Sequence, residues 1–383
     1  MEVMRAALLL VFLVQGARAQ AVINPARLSQ RLRDMESPWN EKPLECSVTP
    51  IKPVLNFAFR MQAGFMVRIP MNQFEGKGHG WVILTRITPQ GAGGRAVYLA
   101  SRTLLPEVPK NKVEVEMGGG YLLGEGRYDV RWMLVDDQER ACHKEWTIEA
   151  RLTRGEKEAH VAMPPGTVDA FSLRGSAAAA PAPDDLAPLR ITILMHAAPL
   201  SPRRTRLRAT DEMLLMGSLS ALLERLPTRS VRMVAFNLEQ QKEIYRRDDF
   251  TLDAIQQVWH ALNRLELDLV DYHTLLNRHG HIDMLAGLLN QEMHAAQPSD
   301  AVVILGPVAR SFDKPARGEL ERPPGDLPRL FFFQYRPAFR QAAALPDTLT
   351  LTVNNLRGKV LTIRTPAEFA RAIDQLEKRA AGR

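Results

Sequence analysis

The chain has 383 residues, of which 45% are hydrophobic and 24% charged, and its formal net charge is +7. Such a composition excludes a disordered or fibrous chain, supports ordinary cores, and at this length favours two domains over one. The excess of positive charge does not indicate nucleic acid. Basic residues are dispersed apart from Arg203-Arg204-Thr205-Arg206-Leu207-Arg208 and Arg246-Arg247, and no aromatic residues alternate with them to stack on bases.

The N-terminus places Arg5 before an apolar run from Ala6 to Val14 and then Ala17-Arg18-Ala19. A charged start, a short apolar stretch and a small-x-small site predict a bacterial-type signal peptide over residues 1–19, cleaved after Ala19. The run is about half the roughly 20 residues that span a bilayer. No later segment is long and apolar enough to do so, and a periplasmic or secreted mature chain is expected. Only Cys46 and Cys142 are present. In an oxidising compartment an even pair in one domain reads as a disulfide, with two buried free thiols as the alternative. A CxxC redox site or a zinc site is excluded by their spacing and number.

Residues 20–43 form a lead-in segment, and residues 44–165 read as an antiparallel β-sandwich. Short strands at Leu55-Asn56-Phe57-Ala58-Phe59-Arg60, Phe65-Met66-Val67-Arg68-Ile69-Pro70, Gly80-Trp81-Val82-Ile83-Leu84-Thr85 and Ala96-Val97-Tyr98-Leu99-Ala100 are separated by glycines and prolines. Gly118-Gly119-Gly120 is expected to be a turn, since no helix follows it to make a nucleotide cradle. The stretch Gly126-Arg127-Tyr128 through Trp132, Cys142 and Trp146 resembles the end of an immunoglobulin-like sandwich, with Tyr128 and Trp132 as core residues.

Residues 166–188 contain Ser176-Ala177-Ala178-Ala179-Ala180-Pro181-Ala182-Pro183, a composition that fits a semi-stiff linker. Beyond it, residues 189–380 alternate apolar strands with amphipathic helices, the pattern of a doubly wound, Rossmann-type α/β domain. Strands are expected at Ile191-Thr192-Ile193-Leu194-Met195, Val231 to Phe236 with a return through Gln241 to Tyr245, Ala301 to Leu305, Leu330 to Tyr335 and Gly358 to Ile363. Helices are expected from a Thr210 cap to Pro227, over about 252–265, over about 274–293, and from a capping box at Thr365-Pro366-Ala367-Glu368. The chain is therefore of the α+β multidomain class.

The order of these elements resembles a von Willebrand factor A-type domain, most closely over residues 231–265 and again from Gly358 through Thr365-Pro366 to the last helix. The resemblance implies a metal-ion-dependent adhesion site of hard oxygen ligands, because magnesium requires a compact oxygen octahedron. The matching positions here are His196, Ala198 and Leu200 for the Asp-x-Ser-x-Ser loop, Thr274 for the loop threonine, and Gly306 or Pro307 for the later aspartate. This is a degenerate site that lacks both carboxylates, and no bound metal or cofactor is expected.

No nucleophile elbow, phosphate-binding loop or His-Glu-x-x-His motif occurs, and no catalytic residue is assigned. The expected function is a non-catalytic exported interaction protein that binds a protein partner through the loop edge carrying His196, Ser201, Arg203, Arg204 and Arg206. The alternative is a secreted hydrolase or a zinc- or copper-binding protein using His196 with His273, His279, His281 or His294, since imidazole suits those metals.

Overall fold

The computed structural model describes residues 20–24, 26, 28, 42–91, 94–110, 112–171, 188–201, 204–268, 271–316, 318–324, 327–336, 346–380 and 382. The expected export signal, the Ala/Pro stretch and Arg203 lie outside the described residues. None of the helices among the described residues is long and apolar enough to cross a membrane. The chain divides into two compact units, the second of which takes in Asn56–Phe59 and Arg154–His160 in addition to the C-terminal half.

Among the described residues the first unit holds ten strands: β1 (Ala21–Ile23), β2 (Lys42–Pro43), β3 (Ser47–Leu55), β4 (Met61–Pro70), β5 (Gly80–Pro89), β6 (Val97–Leu104), β7 (Glu114–Leu123), β8 (Gly126–Asp136), β9 (Arg140–Ala150) and β10 (Val168–Ala170). They form sheets of order β1-β6-β5-β8-β9-β2 and β10-β7-β4-β3. All neighbours are antiparallel except β2 and β9. Side chains of both sheets share one core, in which Phe65, Val67 and Ile69 of β4 pack with Trp81 and Ile83 of β5 and Trp132 and Leu134 of β8. Tyr128 and Trp132 are buried, and the Tyr128 hydroxyl donates to the Gly124 carbonyl at 2.8 Å. A disulfide joins Cys46 to Cys142 of β9.

Three sequence expectations for the N-terminal half change. Residues 56–59 are a turn and not part of a strand, because the Asn56 side chain accepts from the Ala58 amide at 3.0 Å and Phe59 takes φ 54°. Gly118-Gly119-Gly120 lies inside β7. The glycines are needed there for close approach: a Cβ on Gly64 would sit 2.2 Å from the Gly119 carbonyl oxygen, and one on Gly119 would sit 2.4 Å from the Phe65 ring. Residues 168–170, assigned to the linker by composition, pair with β7.

The second unit contains β11 (Leu189–His196), α1 (Ala209–Arg225), β12 (Thr228–Asn237), β13 (Lys242–Arg247), α2 (Ile255–Asn263), α3 (Tyr272–Leu276), α4 (Gly280–Met293), β14 (Ala301–Pro307), β15 (Arg329–Tyr335), α5 (Thr348–Asn355), β16 (Lys359–Ile363) and α6 (Pro366–Ala380). Its sheet has the order β13-β12-β11-β14-β15-β16, parallel throughout except for β13. Strand side chains alternate between faces. Leu194, Val234, Phe236, Ile304 and Phe332 pack with Leu285 and Leu289 of α4 and Leu349 and Val353 of α5. From β15, Phe333 meets Phe369 of α6, and the Tyr335 hydroxyl bonds Ser218 of α1 at 2.6 Å. Burial on both faces explains the unbroken apolar runs of β11, β14 and β15.

The last helix starts as its capping box requires, with the Glu368 amide donating to Thr365 Oγ1 and Glu368 Oε2 accepting from the Thr365 amide. The first helix departs from expectation. It begins at Ala209, and Asp211, not Thr210, closes its first turn by accepting from the Arg208 amide at 2.9 Å. The helix expected over 274–293 is split, because the Gln241 side-chain amide donates to the carbonyls of Asn277 at 2.7 Å and Thr274 at 3.4 Å. Helix α5 was not foreseen; the Asp347 carboxylate caps it by accepting from the Thr350 amide.

Candidate functional site

The order of the second sheet reverses at β11, from which the chain moves first to β12 on one side and later to β14 on the other. The C-terminal ends of strands beside such a reversal form the usual ligand crevice of an open α/β sheet. His196 ends β11 at this point, and Gly306 and Pro307 end β14 beside it.

His196 is wholly buried, and both ring nitrogens are engaged. Nδ1 lies 3.1 Å from the Pro307 carbonyl oxygen and Nε2 lies 3.3 Å from Glu239 Oε2. The other Glu239 oxygen accepts from the Arg310 amide at 3.0 Å. One side chain thus ties together the ends of β11 and β14 and the segment after β12. Asp347 supports the same corner by accepting from the Ala309 amide at 2.6 Å. Asn237, also wholly buried, donates to the Ala197 carbonyl at 2.7 Å and accepts from the Gln240 amide at 2.9 Å. Burial, the largest single influence, disfavours the charged imidazole, but the Glu239 carboxylate, the Pro307 carbonyl and Asp347 together outweigh it and raise the His196 pKa. Burial likewise disfavours charged Glu239, while His196 and the Arg310 amide hold its carboxyl well below the usual range.

The degenerate adhesion positions do not assemble a donor set. Ala198 is buried, Leu200 donates its amide to Asp211 at 3.2 Å, and Gly306 packs its backbone on His196. Thr274 lies on α3 and offers its carbonyl to Gln241. A groove of about 870 Å³ runs beside it, lined in part by Gln240, Arg264, Glu266, Thr274 and Asn277. Of the expected contact residues, Ser201 is half-buried and its carbonyl accepts from the Arg204 amide. The Arg204 carbonyl accepts from the Arg310 guanidinium at 2.6 Å, and Arg206 reaches Asp268 at 3.5 Å.

Among the described residues, His281 and His294 are engaged elsewhere than at His196. His281 pairs with Asp313 at 3.0 Å and His294 with Glu321 at 2.6 Å, while the His273 side chain lies outside the described residues. Among the described residues no group of three or more His, Cys, Asp or Glu side chains is placed to hold a metal ion. A histidine-centred hydrolytic or metal site requires an open cleft as well as a neighbouring carboxylate. Glu239 supplies the carboxylate, while the His196 ring is buried.

Glu239, Asn237, Arg310 and Asp347 were not singled out from sequence. Asn237-Leu238-Glu239 directly after an apolar strand is a polar signal at the right place, although nothing local pairs it with His196.

No protein family and no curated protein matches the chain. Among solved structures it is similar to the putative ApaA protein from Bordetella pertussis, at 18% identity and TM-score 0.19 over 30% of this chain and 100% of that one. It is also similar to the structural-genomics target SoR45, at 10% identity and TM-score 0.19 over 30% of this chain and 95% of that one. Likenesses of this size carry no argument about fold or function.

Proposed function

We propose that the chain is an exported, non-catalytic interaction protein in which an immunoglobulin-like sandwich is joined to a von Willebrand factor A-type domain that binds a protein partner at its C-terminal rim without a metal. The family reading is supported by a sheet whose strands run third, second, first, fourth, fifth, sixth in the domain's own order, with the third antiparallel. The sandwich reading is supported by Tyr128, whose hydroxyl returns to the backbone four residues upstream as a tyrosine corner does.

One observation carries the functional reading: His196 is buried at the strand reversal with both nitrogens committed to protein acceptors. Magnesium does not find its expected ligands at this corner, since Ala198, Leu200 and Gly306 bring no side-chain oxygen and the Glu239 carboxylate is taken by His196 and the Arg310 amide. Among its charged and polar groups, the second unit also exposes large apolar side chains. Leu275 and Leu276 of α3 are 63% and 62% exposed, Tyr272 is 68% and Phe312, beyond β14, is 57%. Contiguous exposed apolar groups such as those of α3 mark interaction surfaces.

The test is capture of partners from an extracytoplasmic extract by the mature protein, with and without chelator. Leu275→Asp with Phe312→Asp is expected to abolish specific capture, and chelator is expected to leave it unchanged. Capture that requires magnesium, or survives the double substitution, overturns the reading.

A further inference from the structure

We infer that His196 is held as a doubly protonated imidazolium, and that this single proton fastens the three segments at the C-terminal rim of the second sheet. A carbonyl oxygen and a carboxylate oxygen only accept hydrogen bonds. Glu239 is held ionised, its other oxygen accepting from the Arg310 amide; the ring then meets one acceptor at Nδ1, from Pro307, and another at Nε2, from Glu239, so each nitrogen carries a proton. With neither nitrogen reaching solvent, water cannot replace a lost proton's bond.

The electrostatic surroundings agree. Glu239 faces the ring from the segment after β12, and Asp347 adds a more distant negative charge from the cap of α5. On the α1 side, Asp211 is engaged by the Leu200 and Arg208 amides and lies 3.9 Å from Arg204. The Arg310 guanidinium is turned to the Arg204 carbonyl, while its amide holds the far oxygen of Glu239.

Loss of the proton leaves Nδ1 or Nε2 as a lone pair against an oxygen lone pair. The contact that breaks frees either Glu239, and with it the Arg310 amide, or the end of β14. The rim is therefore fastened in the charged state and released in the neutral one. This inference stands apart from partner binding, because its consequences are read in the isolated protein.

The experiment uses full-length mature protein with 15N-labelled histidine, observed by long-range 1H–15N correlation between pH 6 and 9, together with amide exchange of Ala309 and Arg310. An ordinary histidine with a pKa of about 6.5 is about nine-tenths neutral at pH 7.5. His196 is expected to keep both nitrogens in the imidazolium range at that pH. Protection of the two amides, corrected for intrinsic exchange, is expected to fall on the order of tenfold once the ring deprotonates.

Glu239→Gln is the discriminating variant. Its amide can donate to a neutral ring while its oxygen still accepts from Arg310, so His196 is expected to be neutral at pH 7.5 and the pH dependence of protection to vanish. A neutral His196 in the unsubstituted protein at pH 7.5, or an unchanged titration in Glu239→Gln, overturns the inference.

Discussion

The backbone of Gly306 lies so close to His196 that a Cβ at that position would stand 2.5 Å from the His196 carbonyl oxygen and 2.9 Å from its Cβ. Gly306 also has φ +154°, a conformation that side chains disfavour. Gly306→Ala is expected to destabilise the second unit by about 2–3 kcal/mol through strain and displacement of β14 from β11. Urea unfolding of the variant measures this, and a change under about 0.5 kcal/mol, typical of surface sites, would contradict it.

Stability should depend on pH from two sides. The His196 pKa is raised, so its contribution is full below the ordinary value of 6.5 and is lost as pH rises through the higher folded value. The Glu239 pKa is lowered, so its contribution is full above the ordinary 4.5 and is lost as pH falls through the lower folded value. The urea midpoint is expected to form a plateau between these limits. Glu239→Gln should remove the alkaline decline attributable to His196.

The disulfide closes a sequence separation of 96 residues within the first unit. Loop-closure entropy for a loop of that size gives about 4–5 kcal/mol as an upper value, and native disulfides commonly contribute about 2–5 kcal/mol. Cys46→Ser with Cys142→Ser is expected to lower the unfolding transition of the sandwich by an amount in that range. Calorimetry should show the transition of the α/β unit unmoved.

A buried carboxylate at the opposite end of the second sheet gives another test. Glu292 of α4 is 1% exposed and takes Thr192 Oγ1 at 2.6 Å and Arg232 Nη1 at 2.7 Å. Arg232→Met strands this charge and is expected to cost about 3 kcal/mol. Glu292→Gln keeps an acceptor for Thr192 without a buried charge and should cost about 1–2 kcal/mol. Equal effects of the two in chemical denaturation would show that charge is not the source.

Much of the α/β unit was legible because its strands are buried on both faces and leave apolar runs such as Ala301-Val302-Val303-Ile304-Leu305. His196 was also legible, since it ends the first such run. Its partner was not: Glu239 lies 43 residues away, and only the register of β11 with β12 brings the two together. The break before α4 was hidden for a similar reason, because it is imposed by Gln241 from 36 residues away and not by a proline or a glycine pair. Segment 348–355 alternates Thr with Leu, which has no helical period, and its helicity rests on the Asp347 cap and on Leu349 and Val353 reaching the core. The triple glycine misled because a turn and a tightly stacked strand both select the residue without a side chain.

Among the described residues strand β3 forms the border of the four-stranded sheet, with Ile51 and Val54 exposed and its register interrupted between them. Pro50 and Pro53 occupy this stretch, and neither has an amide hydrogen to offer a new neighbour. A greasy sheet border would otherwise template further chains into fibrils. Here the missing donors and the bulge leave an incoming strand without a continuous ladder, so the sandwich can present apolar side chains at its margin without inviting polymerisation.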